Sequence, residues 1–254
     1  MAASAKNHVV VWMNYLQKSV EMGDYSVIGV IVAVSVVLLT FLVFGLLRQR
    51  QNKRRGVLIL GNCDAGKTLL YTQLIYKKHN QTFSSISPNS GNYTVAESGK
   101  TLRLVDLPGH ERIRQQMLDG HKDLARGVIF VIDSSSVQKE IKDIAEYLYT
   151  VLSDNRISNM SPPLLVACNK QDMSFTKGAK VIQALLEKEM NTLRITKSAA
   201  LQDTSASNNN TYLGRRDRDF TFNDLKPMKI DFVECSCQEK ADINAIQDWL
   251  AKIA

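Results

Sequence analysis

The sequence predicts an α/β protein: a mostly parallel sheet covered by helices on both faces, preceded by one membrane-spanning helix. Three observations predict it. Short apolar runs alternate with longer amphipathic stretches through residues 56–254, the pattern of strands joined by crossover helices. The octapeptide Gly61-Asn62-Cys63-Asp64-Ala65-Gly66-Lys67-Thr68 lies between the first apolar run and the first helical stretch. Finally, residues 27–47 carry no charge over twenty-one positions, which at ~1.5 Å per residue covers the ~30 Å of bilayer hydrocarbon.

The apolar stretch is read as an uncleaved anchor. A buried core helix would need polar residues on at least one face. A signal peptide would have a shorter apolar core and a small-residue cleavage site. Here the stretch runs into Arg48, Arg50, Lys53, Arg54 and Arg55, whereas Lys6 and Lys18 on the other side are set against Glu21 and Asp24. Positive-inside bias then divides the chain into a lumenal tail (1–26), a transmembrane helix (27–47), a basic juxtamembrane linker (48–55) and a cytosolic domain (56–254). The basic collar accounts for most of the net charge of +7, so the high isoelectric point is a membrane-flank signature and no direct nucleic-acid binding is expected. Cys63, Cys168, Cys235 and Cys237 are too few and scattered for a disulfide framework. Cys235 and Cys237 lack the second ligand pair of a zinc site.

Within the cytosolic part, 57–60, 102–107, 128–133, 164–169 and 230–235 read as buried strands, and 67–78, 139–152, 178–193 and 241–253 as helices. Ile141, Ile144, Ala145, Leu148 and Leu152 keep helical spacing, giving one packing face. A polar insert at about 196–226, with Ser-Ala-Ser-Asn-Asn-Asn-Thr and Arg215, Arg216 and Arg218 among Asp217 and Asp219, is expected to be a mobile, solvated loop.

Residues 61–68 fit G-x-x-x-x-G-K-[ST] in its proper setting, strand before and helix after. Such a turn wraps backbone N–H groups around a polyphosphate at a helix N-terminus. Lys67 would reach the β- and γ-phosphates and the Thr68 hydroxyl would hold Mg²⁺. Asp106-Leu107-Pro108-Gly109-His110-Glu111 ends the second predicted strand; Asp106 is suited to Mg²⁺ and the Gly109 N–H to the γ-phosphate. Asn169-Lys170-Gln171-Asp172 ends the fourth. A carboxylate at Asp172 accepts from N1–H and the 2-amino group of guanine, and adenine has no matching pair of donors. Glu234-Cys235-Ser236-Cys237 ends the last, where a backbone N–H can bond guanine O6. Together these residues predict a GTP/GDP and Mg²⁺ site.

Four such motifs in order resemble the Ras-like P-loop GTPase superfamily. Asn-Lys-Gln-Asp with Asp-x-x-Gly-His resembles its Arf-like and Sar-like branches. Anchor, basic collar, GTPase domain, Asp-Leu-Pro-Gly-His-Glu and a polar insert before the last strand resemble the family of beta subunits of the signal recognition particle receptor. The resemblance implies that Gly61, Asn62, Cys63, Asp64, Ala65, Gly66, Lys67 and Thr68 hold phosphates, that Asn169, Lys170 and Asp172 read the base, and that Ser236 and Cys237 close the pocket. It also implies a hydroxyl on the first switch for Mg²⁺ and the γ-phosphate. Ser85 is the first candidate by distance from Lys67, with Ser84 and Thr82 as alternatives. His110 stands where many relatives have the catalytic glutamine, and Cys63 where many have a glycine, which predicts slow intrinsic hydrolysis.

The resemblance further implies a GTP-dependent docking subunit at the endoplasmic reticulum membrane. Its partner would be the N-terminal domain of the receptor's alpha subunit, with the ribosome or the translocation channel as further contacts. Two other readings stand beside it: an Arf-like or Sar-like GTPase recruiting coats or tethers, and a permanent anchor whose nucleotide is a folding cofactor. A spanning helix argues against the first of these, because it forbids cycling off the membrane.

Overall fold

The computed structural model describes residues 25–53, 56–78, 82–83, 85–96, 98–202, 212–238 and 242–254. The chain divides into two compact units, Met1–Lys53 and Arg54–Ala254. The first holds helix α1 (Tyr25–Lys53). Its side chains are described at 29 and from 32 to 45, and there Val32, Leu38, Phe41, Leu42 and Phe44 are all exposed. Thr40 Oγ1 donates to the Val37 carbonyl at 2.7 Å, so the hydroxyl is satisfied within the helix. Among the described residues no helix is long and apolar enough to cross a membrane. Of the expected tail at 1–26, residues 1–24 lie outside the described residues, as do Arg54 and Arg55 of the collar.

The second unit is a six-stranded sheet. Its strands are β1 (Gly56–Leu60), β2 (Asn89–Thr94), β3 (Thr101–Asp106), β4 (Ala125–Asp133), β5 (Leu164–Asn169) and β6 (Ile230–Glu234), in the spatial order β2-β3-β1-β4-β5-β6. All neighbours are parallel except β2, which pairs antiparallel with β3. Strands β1 and β5 are buried at every residue, as strands covered on both faces must be. One face carries Leu58, Leu60, Val128 and Phe130, covered by α3 (Glu111–His121), α4 (Val137–Ser153), α5 (Asn155–Met160) and α6 (Ala179–Gln202). The other carries Val57, Ile59, Ile129 and Val131, covered by α2 (Lys67–Tyr76) and α7 (Asn244–Ile253).

Three elements, strand β2, helix α3 and the short helix α5 at Asn155–Met160, depart from expectation, as does the segment over 196–226. Strand β2 and helix α3 were not anticipated: Asn89-Ser-Gly-Asn-Tyr-Thr94 has no apolar run, and α3 buries Arg114 beside Leu118. The expectation of a mobile loop over 196–226 is corrected. Helix α6 continues to Gln202, and after residues 203–211, which are not described, the chain packs back onto the core. Leu213, Phe220, Phe222 and Met228 are buried there, with Phe222 edge-on to Phe220 and Phe232 at 5.3 and 5.1 Å. Buried Arg194 of α6 donates to the carbonyls of Arg215 and Arg218. Four apolar anchors spread through a polar stretch hold the segment without any helical or strand period.

Candidate functional site

The loop between β1 and α2 is shaped by its glycines. Gly61 has φ 138° and a Cβ there would lie 2.2 Å from the Val131 carbonyl oxygen; Gly66 has φ 93° and its Cβ would lie 2.3 Å from Asn169 Nδ2. Neither position accepts a side chain. Gly66 delivers the chain into α2 with Lys67 at its first position. Lys67 is 6 % exposed, and burial lowers its pKa against the opposing pull of Asp106. Its Nζ donates to the Asn62 carbonyl at 2.6 Å, curled back within the loop.

Beside it, Thr68 Oγ1 donates to Asp106 Oδ2 at 2.8 Å and lies 3.1 Å from Ser85 Oγ. Asn89 Nδ2 donates to the same carboxylate oxygen at 3.1 Å. The other oxygen, Asp106 Oδ1, is buried without a partner. Burial raises the Asp106 pKa, opposed by Thr68, Asn89 and Lys67. Among the described residues no group of three His, Cys, Asp or Glu is placed to hold a metal ion. One orphaned carboxylate oxygen with two hydroxyls nevertheless fits a hard cation that completes its shell with water and phosphate oxygens. Thr68, Ser85 and Asp106 therefore come together. Of the alternatives to Ser85, Thr82 lines the same cleft and Ser84 lies outside the described residues.

The residues expected to read the base converge through Asn169, which is 2 % exposed at the end of β5. Its Nδ2 donates to the Ala65 carbonyl at 2.9 Å, and its Oδ1 accepts from the Cys237 N–H at 3.1 Å. One amide thus ties the phosphate loop to the loop after β6. Lys170, at φ 65°, donates to Asp133 Oδ2 at 2.6 Å. Burial tends to raise the Asp133 pKa, but its bonds from Lys170 and Ser135 lower it overall. Exposed Asp172 accepts from Ser236 Oγ at 2.5 Å, which brings the two loops to one edge of the site.

A cleft of about 220 Å³ opens beside the loop after β1, with Gly66, Lys67, Thr68, Ser85, Gly109 and Lys170 among its walls. Gly109 lies so close to the phosphate loop that a Cβ would come within 2.5 Å of Gly61 O and Lys67 Nζ. His110 caps α3, its Nδ1 accepting from the Arg112 N–H at 3.3 Å. In the neutral ring Nε2 then carries the proton. Cys63 and Asp64 are exposed on the rim. Sequence reasoning missed Asn89, Asp133 and Asp143. The partner of Asn62 Nδ2, at 2.6 Å, is Asp143. None of the three belongs to a recognisable motif, although Asp133 ends an apolar run as Asp106 does, and that was a usable signal.

Several known proteins similar to this chain share one grouping. Residues 52–228 match the family described as signal recognition particle receptor beta subunit. The signal recognition particle receptor subunit beta of Mus musculus is 43 % identical over 251 residues, 96 % of this chain and 93 % of that protein. Among solved structures, that of the mammalian SRP receptor is 46 % identical, covering 79 % of this chain and 100 % of the other at a TM-score of 0.69. The SRb-GTP/SRX complex from Chaetomium thermophilum is 21 % identical, covering 78 % and 97 % at a TM-score of 0.60, a likeness of fold.

Proposed function

The chain belongs to the signal recognition particle receptor beta subunit family, and on that premise we propose that it is the receptor's membrane-anchored guanine-nucleotide switch. In its GTP form it docks the alpha subunit through that subunit's N-terminal domain, for co-translational targeting to the endoplasmic reticulum. The observation that carries this reading is the pair of hydrogen bonds that Asn169 makes, donating to the Ala65 carbonyl and accepting from the Cys237 N–H. It supports the reading by joining the glycine-rich loop after β1 to the loop after β6, the two segments to which the reading gives the phosphates and the base.

The reading gives each residue a role. Backbone N–H groups of 61–66 and the start of α2 receive the phosphates, and Lys67 leaves the Asn62 carbonyl to meet them. Thr68, Ser85 and Asp106 would hold Mg²⁺, which neutralises charge between the last two phosphates. Asp172 reads guanine, with Lys170 packed alongside and Ser236 and Cys237 closing the pocket. His110 Nε2 orients water at the γ-phosphate end. With exposed Cys63 on the phosphate loop, intrinsic hydrolysis is slow and nucleotide state governs docking more than it drives turnover.

Residues 27–47 anchor the chain as a single-pass helix, with the tail lumenal and residues 56–254 cytosolic. The exposed apolar side chains described along α1 support this. So does the lack of charge at 27–47 followed by five basic residues.

The test is retention of the alpha subunit's N-terminal domain by the full chain in detergent, loaded with GDP or with a non-hydrolysable GTP analogue. Retention with the triphosphate alone supports the reading, and equal retention in both states overturns it. Topology is checked in cells. The sequences at Asn80, Asn92, Asn159 and Asn209 fit the glycosylation acceptor pattern, and sugar on any of them would overturn a cytosolic placement.

A further inference from the structure

Arg114, in the second turn of α3, is only 8 % exposed. Its Nη2 donates to Asp143 Oδ1 at 2.9 Å, and its guanidinium lies over the Tyr147 ring, 4.5 Å from the centroid. The second oxygen of the same carboxylate, Oδ2, accepts from Asn62 Nδ2 at 2.6 Å. Asp143 projects from α4. It therefore joins two donors from different elements: the phosphate loop, and the helix that begins directly after Gly109 and His110. Asn62 is itself 7 % exposed. Its Oδ1 has no partner, and its carbonyl is where Lys67 Nζ rests.

Asp143 is itself half exposed, so its ion pair alone contributes ~1 kcal/mol or less; what sets the arrangement apart is the two donors it joins. Both donors are buried, and both belong to segments that border the last phosphate. The Gly109 backbone packs against Gly61 O and Lys67 Nζ with no room for a methyl group. A shift of the 106–109 segment therefore moves the start of α3, and Arg114 with it. A cavity of about 370 Å³ opens between these parts, with Asn62, Gly109, His110, Arg114 and Asp143 on its walls. That space lets the two segments change separation unless something ties them.

We infer that Asp143 is a positioning residue of the nucleotide site. Its carboxylate clasps Asn62 of the phosphate loop to Arg114 of α3 and so sets the gap between the loop and Gly109 in which a third phosphate is received. Asp143 touches no nucleotide; it acts through its two donors, and it separates triphosphate from diphosphate binding. This inference rests on the guanine-nucleotide reading above.

The test uses the full chain in detergent with saturating Mg²⁺, titrated with GDP and with a non-hydrolysable GTP analogue. Wild type is compared with Asp143→Ala, Arg114→Met and the double variant. Each single substitution is expected to weaken the triphosphate about tenfold more than the diphosphate. The double variant is expected to lose no more than either single, because one tie is cut in all three. Equal loss for both nucleotides, unchanged affinities, or multiplying effects in the double variant would overturn the clasp. Arg114→Met keeps apolar cover over Tyr147, so it carries the test if Asp143→Ala melts early. Wild type binding no guanine nucleotide would overturn the functional reading and the clasp together. Wild-type binding with an unaltered ratio in the variants would overturn the clasp alone.

Discussion

Thr68 Oγ1 donates to Asp106 Oδ2 at 2.8 Å, while the second oxygen of that buried carboxylate has no partner. The free chain thus holds a charge for which it supplies half the hydrogen bonds. Burial raises the Asp106 pKa. A raised folded value means stability that is present below the ordinary carboxylate pKa and lost as pH rises through the folded one.

Asp106→Asn removes that loss. In nucleotide-free buffer with chelator, the melting temperature of the variant is expected to gain on wild type as pH rises from about 4 to 8. Mg²⁺-dependent nucleotide binding is expected to be lost in the same variant. A constant difference across that range would show that Asp106 does not titrate as described.

Gly66→Ala places a Cβ 2.3 Å from Asn169 Nδ2 on a backbone at φ 93°. The left-handed strain alone is of order 1–3 kcal/mol, and the displaced amide loses its bond to Ala65. Thermal unfolding is expected to show that cost, and titration with GDP is expected to show affinity at least tenfold weaker. A variant with wild-type melting and affinity would contradict the close approach.

Phe222→Ala tests the anchoring of the segment after residue 211. Phe222 is 4 % exposed between Phe220 and Phe232, so truncation is expected to lower stability by about 3–5 kcal/mol. Denaturant unfolding measures it. A cost below ~0.5 kcal/mol, as for an exposed surface site, would restore the picture of a solvated loop.

The thiols make a chemical prediction. Cys63 is exposed on the phosphate loop, and Cys168, Cys235 and Cys237 are buried. Burial pushes the Cys168 thiol up to about 12. A hydrogen bond with Cys237 is the largest influence raising Cys235, followed by burial. Brief alkylation of the native chain at neutral pH is expected to add one adduct, at Cys63, by intact mass. Bound GDP should slow it. Three or four rapid adducts would mean that the base-side core opens readily.

Much of this was legible because burial on both faces leaves little freedom of composition. Strand β5 matches its apolar run, 164–169, end for end, and β1, β3, β4 and β6 differ from theirs only at the ends. The motif residues were legible for a related reason: each follows a strand whose end fixes where it points. The edge strand β2 was not legible, since its residues alternate between half-buried and exposed and have only Tyr93 as a sizeable apolar group. Helix α3 was hidden because its packing face includes Arg114, an arginine that counts as polar in any period. The clasp at Asp143 was hidden too, because it depends on register between α4 and a loop eighty-one positions earlier, which no local pattern encodes.

The Asn169 amide that bonds Ala65 and Cys237 ties the loop after β1 to the loop after β6 before any ligand arrives. A nucleotide seated by its phosphates then presents its base to a waiting partner at high effective concentration, as the second arm of a chelate does. Guanosine and pyrophosphate supplied separately lose that advantage, so their combined affinity should fall far short of the joined molecule. If Asp172 reads the base as proposed, its discrimination is thereby amplified, because a wrong base forfeits its own contacts and also slackens the hold on the phosphates.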